Sequence, residues 1–172
     1  RVEQFKSYGL RPRVEQLNSK LINSSTPFIG TFHSLGARIL KQEARFLGRT
    51  PAFTIFDQDD SLSVIKNVLR ELNLARADWS PFRAQGLIGR IKNELLNPEE
   101  ELDKTELSLY NAYEAALISN NAFDFDDLIE KVVRLFFVNP KALEKYRRDF
   151  QHILVDEYQD INTAQQELIS LI

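Results

Sequence analysis

Apolar residues return along most of this chain at intervals of three and four, the pattern of helices with one buried face. Val14, Leu17 and Leu21 predict a helix over residues 13–21, broken off by NSSTP. The short apolar run FIGTF, 28–32, predicts a strand that feeds an amphipathic helix from His33 to Leu47, with Leu35, Ile39, Leu40, Ala44 and Leu47 inward. Asp57 or Asp60 can cap the next helix, whose apolar side is Leu62, Ile65, Val68, Leu69 and Leu72. Two more helices follow near 82–96 and 105–119, the second carrying Leu107, Tyr110, Tyr113 and Leu117, and this middle third shows no strand pattern. FDFDDLIEKVVRLFFV predicts a strong helix with Phe125, Leu128, Ile129, Val132 and Phe136 inward, and Pro140 ends it and opens a short helix to 148. HILVD, 152–156, is the second predicted strand. Asn162, with Gln165 three residues on, has the form of a capping box for a last helix.

The fold class is therefore α/β and predominantly helical. With 172 residues, 43% hydrophobic and 27% charged, the chain has the composition of a soluble globular domain, alone or with a small insert. No apolar run approaches the roughly 20 residues that span a bilayer, so no membrane partner is expected. The absence of cysteine excludes a disulfide frame, a thiolate metal site and a cysteine nucleophile, and fits a cytoplasmic location. His33 and His152 are too few for a histidine-rich metal centre. A net charge of -3 gives no global attraction to nucleic acid, which leaves local patches. There is no methionine, and the chain opens on Arg1-Val2-Glu3-Gln4, so a piece of a longer protein is expected. RVEQ recurs at 13–16, too isolated to define a repeat.

Chemistry concentrates in HILVDEYQDIN, 152–162. An apolar strand covered on both faces ends at the carboxyl edge of a parallel sheet, where open α/β folds bind ligands. A carboxylate directly after such a strand can hold Mg²⁺ beside substrate phosphates, and a second can orient or deprotonate an attacking water. Asp156 and Glu157 stand in those positions; alone, they read more readily as acids on an exposed exit from strand to loop. Arg38, Lys41, Gln42 and Arg45 form a basic stripe that is either a solvated face or a phosphate contact. The acidic turn NPEEELDKTE has nothing converging on it and reads as a solvent-facing loop.

These segments together resemble the UvrD/Rep/PcrA-like DNA helicases of superfamily 1. VDEYQDIN resembles the family's motif II, with Ile161 where threonine is commoner; GTFHSLGARIL, 30–40, resembles motif Ib; and FDFDDLI, 123–129, resembles the block preceding motif II. FTIFDQDD and IKNELLNPEE are similar to the helical insert, subdomain 1B, carried inside the first RecA-like domain, 1A. The resemblance implies a partial RecA-like P-loop NTPase domain with an all-helical insert. Residues 1–12 form a boundary segment, 13–54 and 121–172 belong to 1A, and 55–120 form the insert.

It further implies Mg²⁺ and ATP as cofactors, with Asp156 the metal carboxylate, Glu157 the catalytic base or water-positioner, and Gln159 and Asp160 linking the nucleotide site to its neighbours. Thr31, Phe32, His33 and Ser34, joined by Arg38 and Lys41, would follow single-stranded DNA. Phe125 is expected to pack while Asp126 and Asp127 brace a helix start, and Arg83, Arg90 and Lys92 are expected as surface charges within reach of duplex DNA. The implied partners are single-stranded and duplex DNA, ATP and the remaining helicase domains of the parent, in repair or replication, with 3′ to 5′ polarity.

Departures from the pattern are equally specific. No GxxxxGK[ST] phosphate cradle occurs in the chain, FKSYGLRP stands where a TNKAA-like block is expected, and no motif III is present. The chain by itself is therefore expected to be inactive. A non-catalytic DNA- or partner-binding helical module, and a subunit of a related helicase-nuclease, remain the alternative readings.

Overall fold

The computed structural model describes residues 27–74 and 79–172, so the helix predicted over 13–21 lies outside the described residues. The chain divides into Arg1–Gly30 and Thr31–Ile172. Of the first unit, residues 27–30 are described; they have no regular structure, and Ile29 is exposed. The strand predicted over 28–32 is not formed. Thr31 instead caps helix α1 (Phe32–Glu43), its hydroxyl accepting the Ser34 N–H at 3.2 Å while the Ser34 hydroxyl donates to the Thr31 carbonyl at 2.8 Å. Local capping thus draws the end of the apolar run into the helix. A single 3₁₀ turn, Ala44–Leu47, continues α1 and closes on left-handed Gly48.

The strands lie where no alternation announced them. β1 (Thr54–Phe56) and β2 (Ala122–Asp124) pair in parallel, Thr54 opposite Ala122 and Phe56 opposite Asp124. Three residues are too few for a readable period. Side chains outside the ladder brace the pair: Arg49 Nε donates to the Ala122 carbonyl at 3.2 Å, the Asn121 amide exchanges hydrogen bonds with Thr50, and Phe53 meets Phe123 edge-on at 4.8 Å.

Between the strands run α2 (Gln58–Glu71), α3 (Pro81–Asn93), the single turn α4 (Pro98–Glu101) and α5 (Lys104–Ser119). Both predicted caps of α2 are used: Asp57 accepts the Asp60 N–H, and the Asp60 carboxylate accepts the Asp57 N–H. Their apolar faces form one core, from Ile65, Val68 and Leu69 through Ile88 and Ile91 to Leu109, Tyr113 and Leu117. After β2 come α6 (Asp127–Val138), α7 (Pro140–Asp149) and α8 (Thr163–Leu171). With α1 these build a second core around Ile39, Leu40, Phe123, Ile129, Val132, Phe136 and Leu168. α1 and α6 cross so closely that a Cβ on Gly36 would lie 1.8 Å from the Leu128 carbonyl oxygen. As expected, Asn162 and Gln165 form the capping box of α8.

The second predicted strand is also absent. Residues 152–155 are not paired, and Leu154 is 100% exposed. Among the described residues no strand lies beside them to share a ladder. An apolar run becomes a buried strand only where a sheet receives it.

Candidate nucleotide and DNA sites

The acidic loop lies between α7 and α8. Glu157 holds a left-handed backbone conformation (φ 51°, ψ 41°), and a 3₁₀ turn, Tyr158–Asp160, follows it. That turn brings the Asp160 N–H to the Glu157 carbonyl at 2.9 Å. The Glu157 N–H donates to Asp156 Oδ1 at 3.0 Å, and Gln159 Nε2 donates to Glu157 Oε2 at 2.6 Å. Asp156, Glu157, Gln159 and Asp160 are all exposed. The pair is thus a solvent-facing set of carboxylate oxygens in which Gln159 orients Glu157. Among the described residues no three His, Asp or Glu side chains converge as a metal cage.

The residues expected along DNA gather at the start of α1. Thr31 and Ser34 are tied to each other by the cap, and Phe32 and His33 are half-buried. Lys41 and Arg45 are exposed further along, with Arg38 half-buried. His33 stacks on Phe125 with ring centroids 3.8 Å apart and planes 20° from parallel. Burial holds the His33 pKa below its usual value, partly offset by the charge of Asp126. Phe125 is not an inward residue of α6: it is 54% exposed, because it sits in the turn before the helix rather than on its face. It also lines a cavity of about 390 Å³ with Asp57, Gln85, Gly89, Tyr113 and Asp126.

Beneath this turn lies an ionic cluster that the sequence did not announce. Lys92, expected on the surface, is fully buried, and its ammonium lies 2.8 Å from Glu114, 2.7 Å from Asp124 and 2.8 Å from Asp127. Lys131 joins Glu114, Asp127 and Glu130, and Arg134 pairs with Glu130. Asp124 and Asp127 also cap each other, each accepting the other's backbone N–H, at 2.8 and 3.2 Å, and the Tyr113 hydroxyl donates to Asp124 at 2.9 Å. Asp127 therefore braces the helix start as expected, with a lysine as its unforeseen partner.

Burial opposes the charge on Lys92, but Asp127, Asp124 and Glu114 outweigh it and hold its pKa well above the ordinary lysine value. Asp127 is lowered: burial works against ionisation, and Lys92 and Lys131 overcome it. Asp124 is raised to about 6, by burial first and then by the charge of Asp127. Three cations meet four carboxylates here, so Asp124 is where the surplus acid shows. Arg83 and Arg90 are exposed as expected, with Arg83 lying over the Trp79 ring at 4.4 Å. A lysine reads as polar in any window, and its three acids come 22 to 35 residues later; only the Asp–x–x–Asp spacing in FDFDD hinted at the reciprocal cap.

The chain has a defined place among known proteins: it belongs to the family described as UvrD/REP helicase N-terminal domain, which matches residues 7–172. The match begins inside the segment 1–12 set apart above as a boundary. The chain is 42% identical over 149 residues to the ATP-dependent DNA helicase PcrA of Bacillus subtilis (strain 168), covering 83% of this chain and 20% of that protein. It is 38% identical over 170 residues to the ATP-dependent DNA helicase PcrA of Staphylococcus epidermidis (strain ATCC 35984), covering 95% and 23%. A Staphylococcus aureus (strain Mu50) protein of the same name is 40% identical over 152 residues, covering 84% and 21%. The chain thus spans about a fifth of the length of these curated relatives.

Proposed function

We propose that this chain is part of an ATP-dependent DNA helicase that couples ATP hydrolysis to movement along single-stranded DNA and opening of duplex DNA. The observation that carries the proposal is the exposed Asp156–Glu157 pair, with Glu157 oriented by Gln159, in a chain whose family relatives are named ATP-dependent DNA helicases. On this reading residues 13–54 and 121–172 belong to a RecA-like domain and 55–120 form a helical insert. The remaining helicase domains of the full-length protein are its partners, and the setting is cytoplasmic DNA repair or replication.

Mg²⁺ fits the donor set, since it is typically held by one or two carboxylates together with substrate phosphates and water rather than by an all-protein cage. Asp156 would hold it, and when bound with ATP it supplies charge neutralisation on the phosphates. Glu157 positions the attacking water and accepts its proton. Because Oε2 is engaged by Gln159, we assign the water to Oε1. Thr31, Phe32, His33 and Ser34 contact the DNA strand, with Arg38 and Lys41 neutralising phosphates. The exposed Phe125 beside His33 offers a base a ring to stack on.

The test is nucleotide affinity and DNA-stimulated turnover of two variants in the full-length protein. Glu157→Gln keeps shape and removes charge, so ATP and DNA binding persist while turnover falls by about 10²–10⁴-fold. Asp156→Ala weakens Mg²⁺-dependent nucleotide binding as well as turnover. Hydrolysis at the parental rate by Glu157→Gln would overturn the assignment.

A further inference from the structure

We infer that Asn93 is a positioning residue: with its neighbour Lys92 it makes the C-terminal end of α3 a strut between the acidic loop and the aromatic pair His33–Phe125, so that DNA contact is felt at the nucleotide site. The inference rests on the function proposed above and names residues that function does not use.

The two arms of the strut leave from consecutive residues. On one side, the Lys92 ammonium holds Asp124 and Asp127, the two ends of the four-residue turn that presents Phe125 against His33. Those ends are also locked to each other by their reciprocal backbone hydrogen bonds. Phe125 therefore cannot shift far without disturbing a fully buried lysine. On the other side, Asn93 Oδ1 accepts from Asn162 Nδ2 at 2.7 Å. Asn162 is the N-cap of α8, two residues after Asp160, and its Oδ1 is already committed to the Gln165 N–H at 2.9 Å. Both ends of its side-chain amide are thus used, and the one facing α3 ends on Asn93.

Asn93 is itself oriented, its Nδ2 donating to the Gly89 carbonyl at 2.9 Å. α3 also passes near the turn at Gly89, where a Cβ would stand 3.4 Å from Asp126 Oδ2. A displacement at Phe125 thus reaches the start of α8 through one rigid helical turn and two side chains. Neither Asn93 nor Asn162 touches nucleotide or DNA in the roles assigned above.

The experiment compares Asn93→Ala and Asn93→Asp in the full-length protein, reading turnover without DNA, turnover at saturating single-stranded DNA, and the urea midpoint. Asn93→Ala removes the acceptor; it should leave the DNA-free rate and the midpoint near parental values and reduce the stimulation by DNA about fivefold, the scale of one neutral hydrogen bond. Asn93→Asp gives up the donation to the Gly89 carbonyl but keeps an oxygen to accept from Asn162, and should restore most of the stimulation. Parental stimulation in Asn93→Ala overturns the inference. So does a loss that Asn93→Asp fails to recover, or one matched by an equal fall in the DNA-free rate. A parental protein whose turnover ignores DNA overturns the proposed function itself, an outcome separable from the others because it needs no variant.

Discussion

Replacing Lys92 by methionine keeps most of the side-chain volume and removes one charge from the middle of three carboxylates. The parent places that ammonium, 0% exposed, within 2.8 Å of Glu114, Asp124 and Asp127. Taking away one partner of a buried ion pair costs about 3–5 kcal/mol; here the loss falls chiefly on Asp124, since Glu114 and Asp127 keep Lys131. Against a total stability of about 5–15 kcal/mol this is a large fraction. With a slope of about 2 kcal/mol per molar it should lower the urea midpoint by roughly 2 M.

The pH dependence separates this cause from a packing defect. In the parent, Asp127 titrates below its usual 3.8, so its contribution is present above that value and is lost only as the pH falls further. Asp124, raised to about 6, already takes up a proton on mild acidification, which adds stability as the pH falls through that value. Without Lys92 both acids lose a charge that favours their ionised forms, so proton uptake by the folded state moves to higher pH and the variant gains more on acidification than the parent does. Urea denaturation at pH 7.5 and pH 5 should show the deficit shrinking. A midpoint equal to the parent's at pH 7.5, or a deficit unchanged at pH 5, would refute the electrostatic account.

The 172-residue chain on its own should show no ATP turnover above background in a phosphate-release assay, since it contains no phosphate cradle. Gly36→Ala should cost about 3 kcal/mol or more in a denaturation experiment, because its Cβ meets backbone that cannot rotate away; a loss under 1 kcal/mol would mean that α1 and α6 slide freely. In an NMR titration His33 should titrate below 6.5, Phe125→Ala should move it upward by removing burial, and Asp126→Asn should move it further down by removing the charge that favours the imidazolium. Replacing Arg38, Lys41 and Arg45 together should reduce the slope of log affinity against log salt for single-stranded DNA by about 0.7 for each phosphate left without its cation. An unchanged slope assigns that stripe to solvent.

Helices and their caps were legible because they are local. Asp57 with Asp60, and Asn162 with Gln165, each declare a helix start within four residues, and both are found. The acidic loop was legible for the same reason. The strands were not: β1 and β2 are three residues each, and their pairing joins Thr54 to Ala122, a relation no window contains. HILVD and FIGTF have strand composition, but composition supplies only one side of a ladder. Lys92 was missed because its burial depends on partners in α5, β2 and α6, whose convergence is a property of the packed helices. Phe125 was placed inward by helical spacing, yet it precedes the first turn of α6 and so escapes that helix's period.

The parallel pairing of β1 with β2 also bears on how this chain can change. Phe56, where the path leaves for α2, and Ala122, where it returns, are one strand apart across the ladder and two residues apart along it, or about 8 Å. Because the strands are parallel, the connection across that gap must double back, which takes about a dozen residues at the least. Doubling the length of a connection across it costs only about 0.6 kcal/mol in closure entropy. The two strands thus work as a graft junction. Descendants of such a chain can lengthen, trim or exchange the helices between 57 and 121 while the second core stays in register, provided that whatever replaces α3 again offers the buried acids a cation.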